Sequence, residues 1–505
     1  MAKSEVCWTN NANARIGTVA LILTAFLTGV AATQSSSATS IVVAVGVISA
    51  VAFARFSRIH KLHSRQPNID TDWIIIALPV VLAIRTFYFK PSLLLIALLI
   101  VASFARNTGV TYRIYGGPLL LLGISSAIVF SRPTNIYSLA AIALVGILVV
   151  QLILTVDART IIRSLVDGCG LYLVANVVGH AVGLQSPSTG LRIGGLVEST
   201  GFVRVIYPLT SALNTPATVA AVYVAAFGFL VVESGSFRRV LRVVCFVAAV
   251  LVLVGTGSRV TMLSAVLLTV VVIFLPSATR WVAQAALLLS ASAPFVLPSI
   301  ASAMQFAITP LAYLTPGRVN SIESITTIEG RKFVWNSAVD YWGQWVSGFQ
   351  QVVFGFGANG QYGSGVWRTY AQLIGSTVRY PQLATVHNSF LQQLFDGGVV
   401  GGALLIAAIF WASVRMARYR VSWGNEGFIA ITSLTVLLLS GITEVSVAPG
   451  PLQDTFWLLI FFVGATCQEP NGQLMRMTAA GEPERPRRSR PECTNIEQQA
   501  SEGWS

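Results

Sequence analysis

Three short stretches place chemically competent side chains at the ends of very apolar segments. They are Gly255-Thr256-Gly257-Ser258-Arg259, Gly330-Arg331-Lys332-Phe333-Val334-Trp335 and His387-Asn388-Ser389-Phe390-Leu391. A guanidinium is a rigid fork of donors that grips phosphate oxygens at two points. An imidazole exchanges a proton near neutral pH. Arg259, Arg331 and His387 facing one compartment would therefore suit an anionic, phosphorylated, lipid-borne substrate: the cations hold phosphates and the histidine accepts a proton. Each residue also has a plainer reading. Arg259 could snorkel as a topological anchor, Arg331 could be a solvated loop charge, and His387 an interfacial histidine.

Whether the three share a compartment depends on the elements that carry them. The chain has 505 residues, is 54% hydrophobic and only 10% charged, with a mean hydropathy of +0.70. No soluble domain hides that much apolar surface. Apolar runs of roughly 17–25 residues fit a hydrocarbon core about 30 Å thick. In lipid the backbone must satisfy its own hydrogen bonds, so such runs are α-helices. The alternating segments of a β-barrel are missing from the sequence. The expected fold is an all-α, polytopic integral membrane protein of 14 helices (12–14): 16–32, 40–54, 73–88, 91–105, 117–131, 137–156, 162–184, 215–232, 240–256, 260–275, 281–302, 388–414, 427–446 and 452–467.

Cytoplasmic loops are enriched in Lys and Arg. With the N-terminus inside, 22 of the 33 basic residues fall on the cytoplasmic side and 11 outside, seven of these in two long loops. This bias predicts an N-in, C-in topology and puts Arg259, Arg331 and His387 together on the outer face. It also accounts for most of the net charge of +13, so no nucleic-acid partner is expected. The organisation reads as helices 1–11 over 1–302, a large extracytoplasmic loop over 303–386, helices 12–14 over 387–467 and a disordered cytoplasmic tail over 468–505.

The two long outer loops hold further candidates. Residues 185–214 contain Arg192, Arg204 and Tyr207, and lead into a helix through Asn214-Thr215-Pro216, a cap followed by proline. These three, with His180, Trp335 and Asn388, form the expected substrate-binding set; a buried structural role is the competing reading of His180. In the larger loop, Thr326-Thr327-Ile328-Glu329 matches a capping box. Trp335, Val339, Trp342 and Val346 follow at helical spacing, so 329–346 reads as an amphipathic helix at the membrane surface or packed on the bundle.

Gly355-Phe356-Gly357-Ala358-Asn359-Gly360 matches a dinucleotide-binding fingerprint only formally. It lacks the strand–turn–helix context and the following acid, and its glycines read as tight turns bringing backbone close to a ligand or the bundle. Asp396 inside a span needs a partner and is read as structural or orienting; Asp167 stays open. Cys169 and Cys245 read as buried apolar residues, and no disulfide or zinc site is expected among the five cysteines.

The order of these pieces resembles the O-antigen ligase and polysaccharide polymerase superfamily of bacterial membrane glycosyltransferases. Thr256-Gly257-Ser258-Arg259 precedes a span; Gly330-Arg331 with Trp335 and Phe354-Gly355-Phe356-Gly357 lie in a large loop. His387-Asn388-x-x-Leu391-x-x-Leu394-x-Asp396-Gly397-Gly398 follows. The resemblance covers about residues 190–415. It implies a GT-C-like helical fold and a metal-independent enzyme without a cofactor, in the bacterial plasma (inner) membrane. Its partners would be a polyprenyl diphosphate-linked glycan donor, a glycan or lipid-glycan acceptor with a free hydroxyl, and the lipid bilayer. The product would be a cell-wall, capsular or exopolysaccharide glycan, by ligation or polymerisation. By position, Arg259 and Arg331 match the family's diphosphate-binding arginines and His387 its catalytic histidine. The sequence has no outer acidic cluster of the kind that holds Mg²⁺. The competing class is a secondary transporter or flippase of anionic lipid-linked substrates; such folds often carry internal repeats, and no convincing repeat relates the two halves.

Overall fold

The computed structural model describes residues 72–85, 89–105, 110–111, 114–131, 136–184, 205–210, 214–232, 236–275, 277–300, 330–374, 384–450, 454–468 and 475–476. The expected spans 16–32 and 40–54 lie outside these residues. Each expected span inside them coincides with a helix. The first nine are α1 (Trp73–Arg85), α2 (Phe89–Ala105), α3 (Gly117–Phe130), α4 (Ile136–Thr155), α5 (Ala158–Ala181), α6 (Thr215–Val232), α7 (Ser236–Thr256), α8 (Arg259–Phe274) and α9 (Thr279–Ile300). The large loop contributes α10 (Arg331–Trp345), α11 (Phe349–Phe354), α12 (Gly360–Gly363) and α13 (Trp367–Ile374). The chain then enters α14 (Ser389–Trp423), α15 (Asn425–Ser440) and α16 (Asp454–Thr466).

Four of these elements are long and apolar enough to cross a membrane: α5, and the stretches Phe237–Thr256 of α7, Thr279–Pro298 of α9 and Ser389–Arg420 of α14. Their sequences explain how they sit. On α7, Phe237, Val240, Val244, Val247, Leu251 and Val254 recur every three or four residues and are exposed, whereas Ala248, Ala249 and Val252 on the other side are buried. A continuous apolar face turned outward belongs in hydrocarbon. Proline inside α1 (Pro79) and α9 (Pro294, Pro298) is tolerated in membrane helices, where neighbouring groups take up the freed carbonyls.

Helix α5 packs against α1, α6, α7 and α16. Asp157 starts it by accepting a hydrogen bond from the Arg159 backbone amide at 3.0 Å, satisfying one of the unpaired N–H groups of the first turn. Arg163 and Arg242, near the starts of the expected spans 162–184 and 240–256, are both buried, with 6% and 4% exposure. A buried guanidinium needs a partner. Arg242 makes a two-point ion pair with Asp167 (Nε–Oδ1 2.9 Å, Nη2–Oδ2 2.7 Å), and Arg163 pairs with Glu426 at the start of α15. Asp167 is thus a structural acid that ties α5 to α7.

Two residues of the expected disordered tail are paired: β2 (Met475–Arg476) lies antiparallel to β1 (Val110–Thr111). Helix α14 breaks at Gly398 (φ 66°, ψ −168°), and the glycine-rich loop packs into the break. Phe356 and Gly357 donate to the carbonyls of Phe395 (2.8 Å) and Asp396 (2.9 Å). A Cβ at Gly355 (φ +70°) would meet Gly398 N at 2.5 Å, so only glycine permits this backbone contact. The Asp396 carboxylate accepts from Gly360 N (2.6 Å) and Gln392 Nε2 (2.8 Å), which supplies the partners an acid inside a span needs.

Candidate functional site: an arginine, a carboxylate and a strained histidine

The site lies where the chain leaves the large loop and enters α14. His387 has a left-handed backbone, φ +53°, uncommon outside glycine although histidine adopts it more often than most residues. Both neighbours are pinned. The carbonyl of Val386 accepts a hydrogen bond from the Trp335 indole at 3.1 Å. Asn388, fully buried, caps α14 through Oδ1, which accepts from Phe390 N (3.0 Å) and Leu391 N (2.9 Å). Its amide donates to the carbonyls of Ser290 and Ile442, both at 3.1 Å. These four bonds use the full capacity of the side chain. Asn388 is therefore placed to orient His387, with no polar atom left for a ligand, and Trp335 is likewise fully buried.

The segment after α15 wraps the start of α14. Ser389 N donates to Gly441 O at 3.0 Å, and Ser389 Oγ donates to Glu444 O at 2.9 Å. The same oxygen accepts from Ser446 N (2.9 Å) and Val447 N (3.2 Å). Helix α15 ends at Ser440, six residues short of the expected span 427–446, and this leaves Glu444 in the connection between helices, beside Arg331 and His387. Arg331 donates through Nε to Thr443 O (3.0 Å) and through Nη2 to Glu444 Oε1 (2.7 Å). Asn214 stands at the expected cap position, directly before α6 with its carbonyl accepting from Thr218 N at 3.0 Å, and sends its side-chain amide to Glu444 Oε1 at 2.5 Å. The other carboxylate oxygen lies 3.8 Å from His387 Nδ1, within ion-pair reach but beyond a hydrogen bond. That nitrogen is buried and has no hydrogen-bond partner among the described residues; the side chain as a whole is 32% exposed. Burial pushes the Glu444 carboxyl upward, but His387 and the Arg331 guanidinium outweigh it and hold it at about 2.

Arg331 opens α10 directly after Gly330, whose φ of +83° turns the chain into the helix. The helix thus begins two residues later than expected, and residues 326–329 of the capping box lie outside the described residues. Its buried face is Val334, Trp335 and Ala338; Val339 and Trp342 of the expected stripe are half-buried against the same cluster, and the helix packs on α9. Phe333 and Trp345 remain exposed.

The other candidates separate. Arg192 and Arg204 lie outside the described residues. Arg259 is the first residue of α8, and its side chain lies outside them too. Helix α8 packs on α6 and α15. Tyr207 is buried and donates to Leu251 O at 3.1 Å. Nearby, Val205 N donates to Gly255 O at 2.9 Å, docking this loop beside the Gly255–Arg259 turn. His180 is exposed, not buried as the structural reading had it, and its ring lies 5.6 Å from that of Tyr207. Glu444 is the residue that sequence reasoning missed. Its signal was a lone acid within an expected span, which demands a partner.

The arrangement can hold an anion beside a guanidinium and present an imidazole with one nitrogen turned to a carboxylate. Residues 244–406 match a family model described as O-antigen ligase. The matched region contains Arg259, Arg331, Trp335, His387 and Asn388, and ends before Glu444. A comparison with curated proteins gives no match.

Proposed function

We propose that the chain, whose residues 244–406 match the O-antigen ligase family model, acts as a member of the O-antigen ligase and polysaccharide polymerase superfamily and transfers a glycan from a polyprenyl diphosphate carrier to a hydroxyl acceptor at the outer face of the bacterial plasma membrane. The observation that carries this reading is the adjacency of Arg331, Glu444 and His387 at one end of an apolar helical bundle. The N-in, C-in topology, the full count of 14 spans and the GT-C-like description belong to the same proposal.

The chemistry follows from charge. When the glycosidic bond to the carrier breaks, negative charge develops on the diphosphate oxygens. Arg331, with Arg259 from the same end of the bundle, stabilises that charge by charge-assisted hydrogen bonds, so the transfer runs without a metal ion. Preorganised cations in a partly dry site contribute more than they would in water, where solvent screens them. His387 accepts the proton of the attacking hydroxyl, a contribution of roughly 10²–10⁴-fold. Of the expected substrate-binding set, the exposed His180 contacts the glycan, with Tyr207 behind its ring; Arg192 and Arg204 are proposed as further glycan contacts from the sequence alone.

Mass spectrometry of lipid-linked glycans in a deletion strain tests this. Accumulation of a carrier-linked glycan, reversed by the wild-type gene and not by His387→Ala, is the expected result. An unchanged lipid-linked pool would reject the reading. A single accumulated repeat unit indicates a polymerase, and a full-length chain a ligase.

A further inference from the structure

Glu444 lies outside the region matched by the family model and belongs to a segment that returns from the far side of α15. The bond network aims it. Ser389 Oγ holds its carbonyl, Arg331 and Asn214 hold Oε1, and Oε2 is left facing the buried Nδ1 of His387 at 3.8 Å. The backbone that carries the imidazole is fixed on both sides, by the Trp335 bond to Val386 O and by the four bonds of Asn388. Its unpartnered nitrogen points at a carboxylate oxygen, and catalytic contacts are commonly long before substrate arrives.

The geometry points to Glu444 as a positioning residue for His387: it keeps the proton on Nδ1, so that Nε2 carries the lone pair offered to the acceptor. The inference rests on the glycosyl-transfer reading. In that step the acceptor oxygen forms a bond to the anomeric carbon as the bond from that carbon to the phosphate oxygen breaks. The bonding pair leaves with the diphosphate. The hydroxyl proton moves to Nε2, and the resulting imidazolium places its charge against the Glu444 carboxylate. The carboxylate takes no proton. The same division of labour follows whenever a buried acid fixes the tautomer of a histidine base. Glu444 also links the base to the arginine, since Oε1 engages Arg331 while Oε2 faces His387.

The decisive measurement is the tautomer of His387 in wild-type protein. The chain has four histidines, so ¹⁵N-histidine-labelled protein in lipid nanodiscs gives few signals, and the one lost in His387→Ala identifies His387. A neutral ring protonated on Nδ1 is expected; a neutral ring protonated on Nε2 overturns the inference. A second measurement uses Glu444→Gln in a reconstituted transfer assay, where turnover should fall about 10–100-fold with insertion intact. Wild-type turnover in Glu444→Gln overturns the inference while leaving the proposed function standing if His387→Ala is inactive. Wild-type turnover in His387→Ala removes the proposed function itself. Should Glu444→Gln fail to insert, the tautomer of the wild-type protein still decides.

Discussion

Arg331 and Glu444 are joined across 113 residues of chain: Nη2 of the arginine lies 2.7 Å from Oε1 of the glutamate. With Nε on Thr443 O at 3.0 Å, one edge of the guanidinium grips two consecutive residues. A lysine has the charge without the fork. Arg331→Lys should therefore lower the thermal midpoint in detergent, by an amount corresponding to about 1.5–3 kcal/mol, the worth of a charge-assisted hydrogen bond. On the proposed function its glycan transfer should also fall, at least about tenfold, because a lysine would offer a diphosphate a point charge in place of a planar guanidinium. Thermal unfolding and the transfer assay, run on one preparation, check both.

Asn388 joins the helix entrance to two other parts of the bundle. Asn388→Ala removes a cap and two buried amide bonds at once, leaving the Ser290 and Ile442 carbonyls short of a donor. A destabilisation of about 1–3 kcal/mol is expected, with loss of transfer, because His387 is the next residue. Asn388→Asp keeps the acceptor for Phe390 N and Leu391 N and loses only the donors, so its midpoint should fall between the two. Equal midpoints for all three proteins would contradict the positioning role.

Gly355 makes a prediction of a different kind. Its φ of +70° and the 2.5 Å approach that a Cβ would make to Gly398 N are both backbone constraints. No side chain can move aside to relieve them. Gly355→Ala should reduce the yield of folded, membrane-inserted protein sharply, as read by detergent size-exclusion profiles. A wild-type profile would mean that the loop does not pack into the break of α14.

The depressed carboxyl of Glu444 gives a pH dependence with a definite sign. A carboxyl held at about 2 instead of the usual 4.5 contributes stability that is complete above about pH 4.5 and is lost as pH falls towards 2. At about 1.4 kcal/mol per tenfold change in proton affinity, the contribution is about 3 kcal/mol. Thermal midpoints of the wild type should drop over that window, and those of Glu444→Gln should drop less. Parallel curves would show that the acid is not paired in the folded protein.

The helices were legible because hydrocarbon imposes a simple rule on sequence: a long run of apolar residues has one stable conformation there. The α10 boundary was less so, and its face only in part. Gly330 supplies a left-handed start that a capping-box pattern does not anticipate, and the buried face follows a neighbour, α9, that lies some thirty residues upstream in the chain. Arg331 and His387 were legible because cations and imidazoles are rare in so apolar a chain. Glu444 was hidden by the same hydropathy rule: the apolar run continues past Ser440, so the acid was absorbed into a span. Its partners, Arg331, Asn214 and His387, are 57 to 230 residues away in sequence, and only the tertiary return of the chain brings them together. Asn388 belongs to the expected substrate-binding set, but its bonds to Ser290 and Ile442, also long-range, occupy its amide.

The central claim is that His387 and Arg331 carry a glycosyl transfer from a lipid diphosphate. Purified wild type, His387→Ala and Arg331→Ala, each inserted in lipid nanodiscs, should be given a polyprenyl diphosphate-linked glycan and a hydroxyl acceptor, and the covalent product quantified by mass spectrometry. The account predicts product from the wild type and a loss of roughly 10²–10⁴-fold in His387→Ala, with a comparable loss in Arg331→Ala. Full product from correctly inserted His387→Ala would contradict it.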